Sequence, residues 1–84
     1  MSNEHSDEVQ IFVNTKEFNE PRGKITYDRV VAIAYPDFQQ FPQATYSIIF
    51  ERGEADKPQG TLTKGASVQL VKGMRFRVKR TGES

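Results

Sequence analysis

The chain has 84 residues, 36% apolar and 27% charged, with no cysteine and no tryptophan. Six phenylalanines, three tyrosines, seven valines and five isoleucines suffice for one small core, so one domain is expected. Twelve basic residues against eleven acidic ones leave a net charge of +1. That excludes a global electrostatic draw to nucleic acid or membrane, and the missing cysteine excludes disulfides, thiolate nucleophiles and thiolate metal centres.

Residues 1–8 (MSNEHSDE) are polar and acidic and predict a disordered tail, unlike a signal peptide. The longest apolar run, Val30 to Tyr35, is far below the roughly 18 residues a spanning helix needs. With no targeting signal, a cytoplasmic location is expected. At Val9 the pattern changes. Val9, Ile11 and Val13 alternate with Gln10, Phe12 and Asn14, the period of a half-buried strand. Asn14 to Glu17 supplies turn chemistry, and Phe18 opens a second, poorer strand that Pro21 ends or confines to an edge.

A helix follows. Tyr27, Val30, Val31 and Ala34 form one apolar stripe, Thr26 suits the N-cap, Asp28 suits the first turn and Pro36 stops the element. Ile25 stands where a hydrophobic staple onto Val30 is expected. Residues 36–43 predict an ordered loop with Phe38 and Phe41 against the body. Ala44, Tyr46, Ile48 and Phe50 then alternate along a strand, and Glu51 to Gly60 reads as a charged loop. A short apolar patch at Val68 and Leu70 lies between the Lys64-Gly65 and Lys72-Gly73 turns. In the last strand Met74, Phe76 and Val78 alternate with Arg75, Arg77 and Lys79, and residues 81–84 read as a flexible C-terminal tail. The domain is thus expected over residues 9–80.

Strand, strand, helix, strand, short strand, strand predicts an α+β fold: a mixed sheet with one helix packed on one face. This is the ubiquitin-like β-grasp order, which other small α+β folds share in part.

Several stretches carry a closer resemblance. Ile11-Phe12-Val13-Asn14 leads to Phe18, Lys24-Ile25-Thr26-Tyr27 opens the helix and Tyr35-Pro36 closes it. Later come Tyr46 to Phe50, Gly65-Ala66-Ser67-Val68, and the run from Lys72 to Thr81. Over about residues 9–81 the chain resembles the bacterial multiubiquitin family of ubiquitin-like domains, though no internal repeat is present here. The resemblance implies a protein modifier that catalyses nothing itself and needs no cofactor of its own. It implies as partners an activating-enzyme homologue, a conjugating-enzyme-like protein and a JAB-type metallopeptidase. The C-terminal glycine carboxylate of such a modifier is adenylated, passed through thioesters and joined to an amine. A glycine there lets the tail thread a narrow channel.

The chain departs from the ubiquitin pattern by ending Arg80-Thr81-Gly82-Glu83-Ser84, without a double glycine. Gly82 becomes the reactive end only if a peptidase removes Glu83-Ser84, with Arg80 and Thr81 as the tail entering the enzyme. Otherwise Gly82 is a flexible residue after the last strand. Arg75, Arg77 and Lys79 share one strand face. They suit docking to an acidic partner, phosphate contact, or a solvated face that protects an edge. Ile49, out of phase with Tyr46, Ile48 and Phe50, is the candidate for an exposed apolar patch, the alternative being a strand buried on both faces. A non-covalent interaction module is the alternative to a modifier, and a nucleic-acid-binding module is a remoter one.

Three other patterns fail on chemistry. His5-Ser6-Asp7 has the residue types of a triad but no rigid frame to orient them. Gly23-Lys24-Ile25-Thr26 lacks the first glycine of a phosphate loop, since Phe18 stands there, and Ile25 follows the lysine. Glu51, Glu54 and Asp56 are interleaved with Arg52 and Lys57 and match no calcium loop.

Overall fold

The alternation at the start of the chain becomes β1 (Glu8–Val13), in which Val9, Ile11 and Val13 are buried. The computed structural model describes residues 7–83, and side chains through residue 81. Of the tail expected at 1–8, residues 1–6, with His5 and Ser6, lie outside the described residues. Glu8 already pairs with Pro21, and the Asp7 carbonyl accepts from Arg22 N–H at 2.8 Å, so the folded part begins earlier than expected.

Asn14 and Thr15 turn the chain into β2 (Lys16–Pro21) with φ of 51° and 72°. Two positive φ values define the type I′ turn, whose twist matches that of a hairpin. Thr15 is β-branched and sits in the left-handed region at a cost of about 1–2 kcal/mol. β2 is an edge strand, where Pro21 needs no ladder partner for its missing N–H.

β3 (Lys24–Thr26) leads into α1 (Tyr27–Ala34). The Thr26 hydroxyl accepts from Arg29 N–H at 3.1 Å, as its N-cap position predicts. Tyr27, Val30 and Val31 face the core, and Tyr35 N–H closes the last turn on the Val31 carbonyl at 2.7 Å before Pro36. On the other flank the Arg29 guanidinium grips Glu20 of β2 through Nε–Oε1 at 2.9 Å and Nη2–Oε2 at 3.0 Å. Glu20 is 5% exposed, and this bidentate bond holds Arg29 above its ordinary pKa.

Beyond a 3-10 turn at Phe38–Gln40 come β4 (Ala44–Glu51), β5 (Gly60–Thr61), β6 (Ser67–Gln69) and β7 (Met74–Glu83). The main sheet has the order β2-β1-β7-β4-β5. β1 and β7 are parallel, with Ile11 opposite Met74, while every other neighbour is antiparallel. α1 packs on one face of this mixed sheet, as the order of elements predicts. Ile11, Val13, Val30, Ile48, Phe50 and Met74 are the innermost side chains. No helix among the described residues is long and apolar enough to cross a membrane.

Three expectations are corrected. β3 and β5 were not foreseen, because three and two residues are too few to show an alternation. The Val68 patch leaves the main sheet and pairs with β3 as a separate two-stranded ribbon, Val68 opposite Ile25. Residues 81–83 are not a free end: Gly82 stands opposite Thr45 and Glu83 opposite Ala44, so β7 runs on. β4 begins at Ala44, so its first residues present backbone groups on the edge that faces β7 and carry the pairing on to Glu83. Ser84 lies outside the described residues.

Candidate functional site

Both candidate surfaces belong to β7, one on each face. Met74, Phe76 and Val78 are buried under α1, so Arg75, Arg77 and Lys79 project from the open face. Asn14 pins this strand. Its backbone N–H donates to the Phe76 carbonyl at 2.9 Å, its side-chain amide donates to the Val78 carbonyl at 3.0 Å, and its side-chain oxygen accepts from Val78 N–H at 2.9 Å. A turn side chain thereby extends the β1–β7 ladder beyond Val13.

The register assembles the open face. Arg75 stands between Phe12 of β1 and Glu51 of β4, with its guanidinium 6.0 Å from the Phe12 ring centre. Arg77 stands opposite Ile49, and Lys79 opposite Ser47. Ile49 is 43% exposed, as its phase predicts. Phe12, Ile49, Arg75 and Arg77 line one shallow groove together with Thr15 and Glu51. Arg77 reaches Glu51 at 3.7 Å, a solvated pair worth about 0–1 kcal/mol and easily exchanged for a partner's carboxylate. Phe12 is the member the sequence reading missed. It shares the phase of Gln10 on the open face, and that parity was the available signal.

The other face holds Arg80. In strand phase it follows Met74, Phe76 and Val78, so it turns inward while Arg75, Arg77 and Lys79 turn outward. Its guanidinium lies 4.3 Å from the ring centre of Phe41, 4.7 Å from that of Tyr35 and 5.4 Å from that of Tyr46. Nε and Nη2 donate to the Tyr46 hydroxyl at 3.2 and 3.1 Å, and Nη2 also donates to Asp37 Oδ1 at 3.0 Å. The Tyr46 hydroxyl and then Asp37 favour the charged form and hold Arg80 above its ordinary pKa. Tyr35 and Tyr46 also pack on each other, with centres 5.3 Å apart. Phe41, expected against the body, keeps 37% of its surface exposed and serves as one wall of this enclosure.

Arg80 is therefore corrected from a tail residue to an anchored one. Past it the pairing slips by one residue: Arg80 faces Tyr46, Gly82 faces Thr45, and Thr81 is the extra residue of a bulge. The Thr81 hydroxyl lies 2.7 Å from that of Thr45 and donates to the Thr45 carbonyl at 3.2 Å. From the sequence, Tyr35, Phe41 and Tyr46 had structural places only, and neither they nor Asp37 had a part in a site. Their signal was an inward-phased arginine that needed partners, beside an aromatic stretch bounded by two prolines.

Among the described residues no group of three or more His, Cys, Asp or Glu is placed to hold a metal ion. No curated protein and no solved structure matches the chain. A family model described as multiubiquitin matches residues 9–82, from the first buried valine of β1 to Gly82, the last residue but one of β7. The chain belongs to the multiubiquitin family, and its mixed five-stranded sheet with one packed helix is a ubiquitin-like fold consistent with the β-grasp.

Proposed function

We propose that this domain is a ubiquitin-like protein modifier, not an enzyme, activated at Gly82 and conjugated by partner enzymes in the cytoplasm of a bacterium. The observation that carries the reading is the family match, which runs through Gly82 and stops before Glu83 and Ser84. A metallopeptidase of JAB type hydrolyses the Gly82–Glu83 peptide bond and leaves a glycine carboxylate. An activating-enzyme homologue joins that carboxylate to AMP with loss of pyrophosphate from ATP. Attack by an enzyme thiolate releases AMP and forms a thioester. After transfer to a conjugating-enzyme-like protein, an amine of the target displaces the thiolate to form an amide.

In this scheme Arg80 and Thr81 lead the chain to Gly82. The open face supplies recognition: Arg75, Arg77 and Lys79 offer a cationic row to acidic surfaces, and Ile49 with Phe12 offers the apolar contact. Intact mass of the protein incubated with the three partner enzymes and ATP tests the reading. Loss of the Glu83-Ser84 mass, then adducts joined through Gly82 that Gly82→Ala abolishes, is expected. A full-length mass without adducts, from enzymes shown to be active, overturns it. The pairing of Gly82 with Thr45 favours a second reading, a non-covalent interaction module whose end is never activated.

A further inference from the structure

The enclosure around Arg80 is a built site. Its walls come from three separate parts of the fold: Tyr35 ends α1, Asp37 and Phe41 belong to the loop between Pro36 and Pro42, and Tyr46 lies in β4. Three π faces attract a cation, while one carboxylate and one hydroxyl accept its N–H groups. A flat ion with donors along its edge satisfies both demands at once. Guanidinium does this and a compact ammonium does not. Tyr35 adds a contact to the backbone, its hydroxyl accepting from Arg80 N–H at 3.3 Å.

The site lies two residues before Gly82. At roughly 3.3 Å per residue, Gly82 cannot travel far from β4 while Arg80 is held. We propose that Tyr35, Asp37, Phe41 and Tyr46 form a guanidinium-binding site whose resident is Arg80, and that this site latches the C-terminal segment onto β4. Gly82 then becomes available to a partner only when Arg80 withdraws. The latch concerns the geometry of the chain. Its regulatory consequence rests on the reading of Gly82 as the reactive end.

The full chain is compared with Arg80→Ala and Arg80→Lys by residue-resolved amide hydrogen exchange and by NMR of the tyrosine rings. Arg80→Ala is expected to speed exchange at Gly82 by about tenfold or more and to leave Ile11 and Ile48 unchanged. Arg80→Lys, which keeps the charge but loses the fork, should fall between the two. Methylguanidinium should shift the Tyr35 and Tyr46 ring signals of Arg80→Ala saturably. The parent should resist it, because its tethered Arg80 competes at high effective concentration. Methylammonium should do less to the variant. Unchanged exchange at Gly82, or rings indifferent to methylguanidinium while the variant stays folded, overturns the latch.

Charging with ATP and the activating enzyme, after the metallopeptidase has been shown by intact mass to remove Glu83-Ser84 from both chains, separates the two ideas. Faster charging of Arg80→Ala supports the regulatory consequence. Equal charging of both chains overturns that consequence alone. Exposed Gly82 with no adduct from either chain overturns the modifier reading and leaves the latch standing.

Discussion

Arg77 and Arg80 are three residues apart on one strand and live in different media. The Arg77 side chain is 75% exposed and touches a solvated Glu51, whereas that of Arg80 is 23% exposed and surrounded by three rings. The residue type is the same, and strand phase decides the rest. An arginine in odd phase meets water and whatever partner arrives. One in even phase meets the underside of the fold, which must supply acceptors and π surface. Counting cations along a strand therefore says little until they are divided by face.

The largest effect should come from the even phase. Phe76 is 3% exposed and packs 6.4 Å from Phe50 between ring centres. Phe76→Ala is expected to cost about 3–5 kcal/mol in denaturant unfolding, a large part of what a domain this small holds. A loss below about 1 kcal/mol would mean that this face is not the core side.

Asn14 ties the two phases together by fixing β7 to β1. Asn14→Gly keeps the positive φ but removes both side-chain bonds to Val78 and adds the glycine's freedom, so about 2 kcal/mol should be lost. Asn14→Ala should cost about 1 kcal/mol more, because alanine resists the left-handed region. Equal losses in the two variants would show that the turn conformation carries no penalty. Next to it, Thr15→Gly should raise stability by up to about 1 kcal/mol, measured the same way, since relief of a β-branched residue at φ 72° outweighs the glycine's added freedom.

The smallest effect on stability belongs to the odd phase. Arg77→Ala should stay within about 0.5 kcal/mol of the parent, because it removes only a solvated pair. Its effect should appear in binding instead. Association with an acidic partner, measured by calorimetry at two ionic strengths, should weaken with salt in the parent and depend less on salt in the variant. An unchanged salt dependence would remove Arg77 from the docking face.

How much of this was legible follows from the range of each cause. The cap at Thr26, the stop at Pro36 and the alternations of β1, β4 and β7 are written within a few residues of where they act, and all appear in the sequence. β3 and β5 are not legible, because such short strands exist only through their partners. Arg80's inward turn was legible from parity, yet its acceptors lie more than thirty residues away in the chain. The tail was misread for a related reason. Nothing near Gly82 tells that the start of β4 has backbone groups still to be paired. The exposure of Ile49 was legible because a residue out of phase with its strand is a local fact.

The parallel seam between β1 and β7 has a mechanical meaning. The two strands run the same way side by side, so tension applied through the ends of the domain pulls them along each other. Under that load the bonds joining Ile11, Phe12 and Val13 to Met74, Arg75 and Phe76, with the clasp of Asn14 on Val78, bear the force together and must fail together. An antiparallel hairpin opened from its end gives way one bond at a time. A domain threaded, towed or pulled by its termini would therefore hold until the whole seam shears.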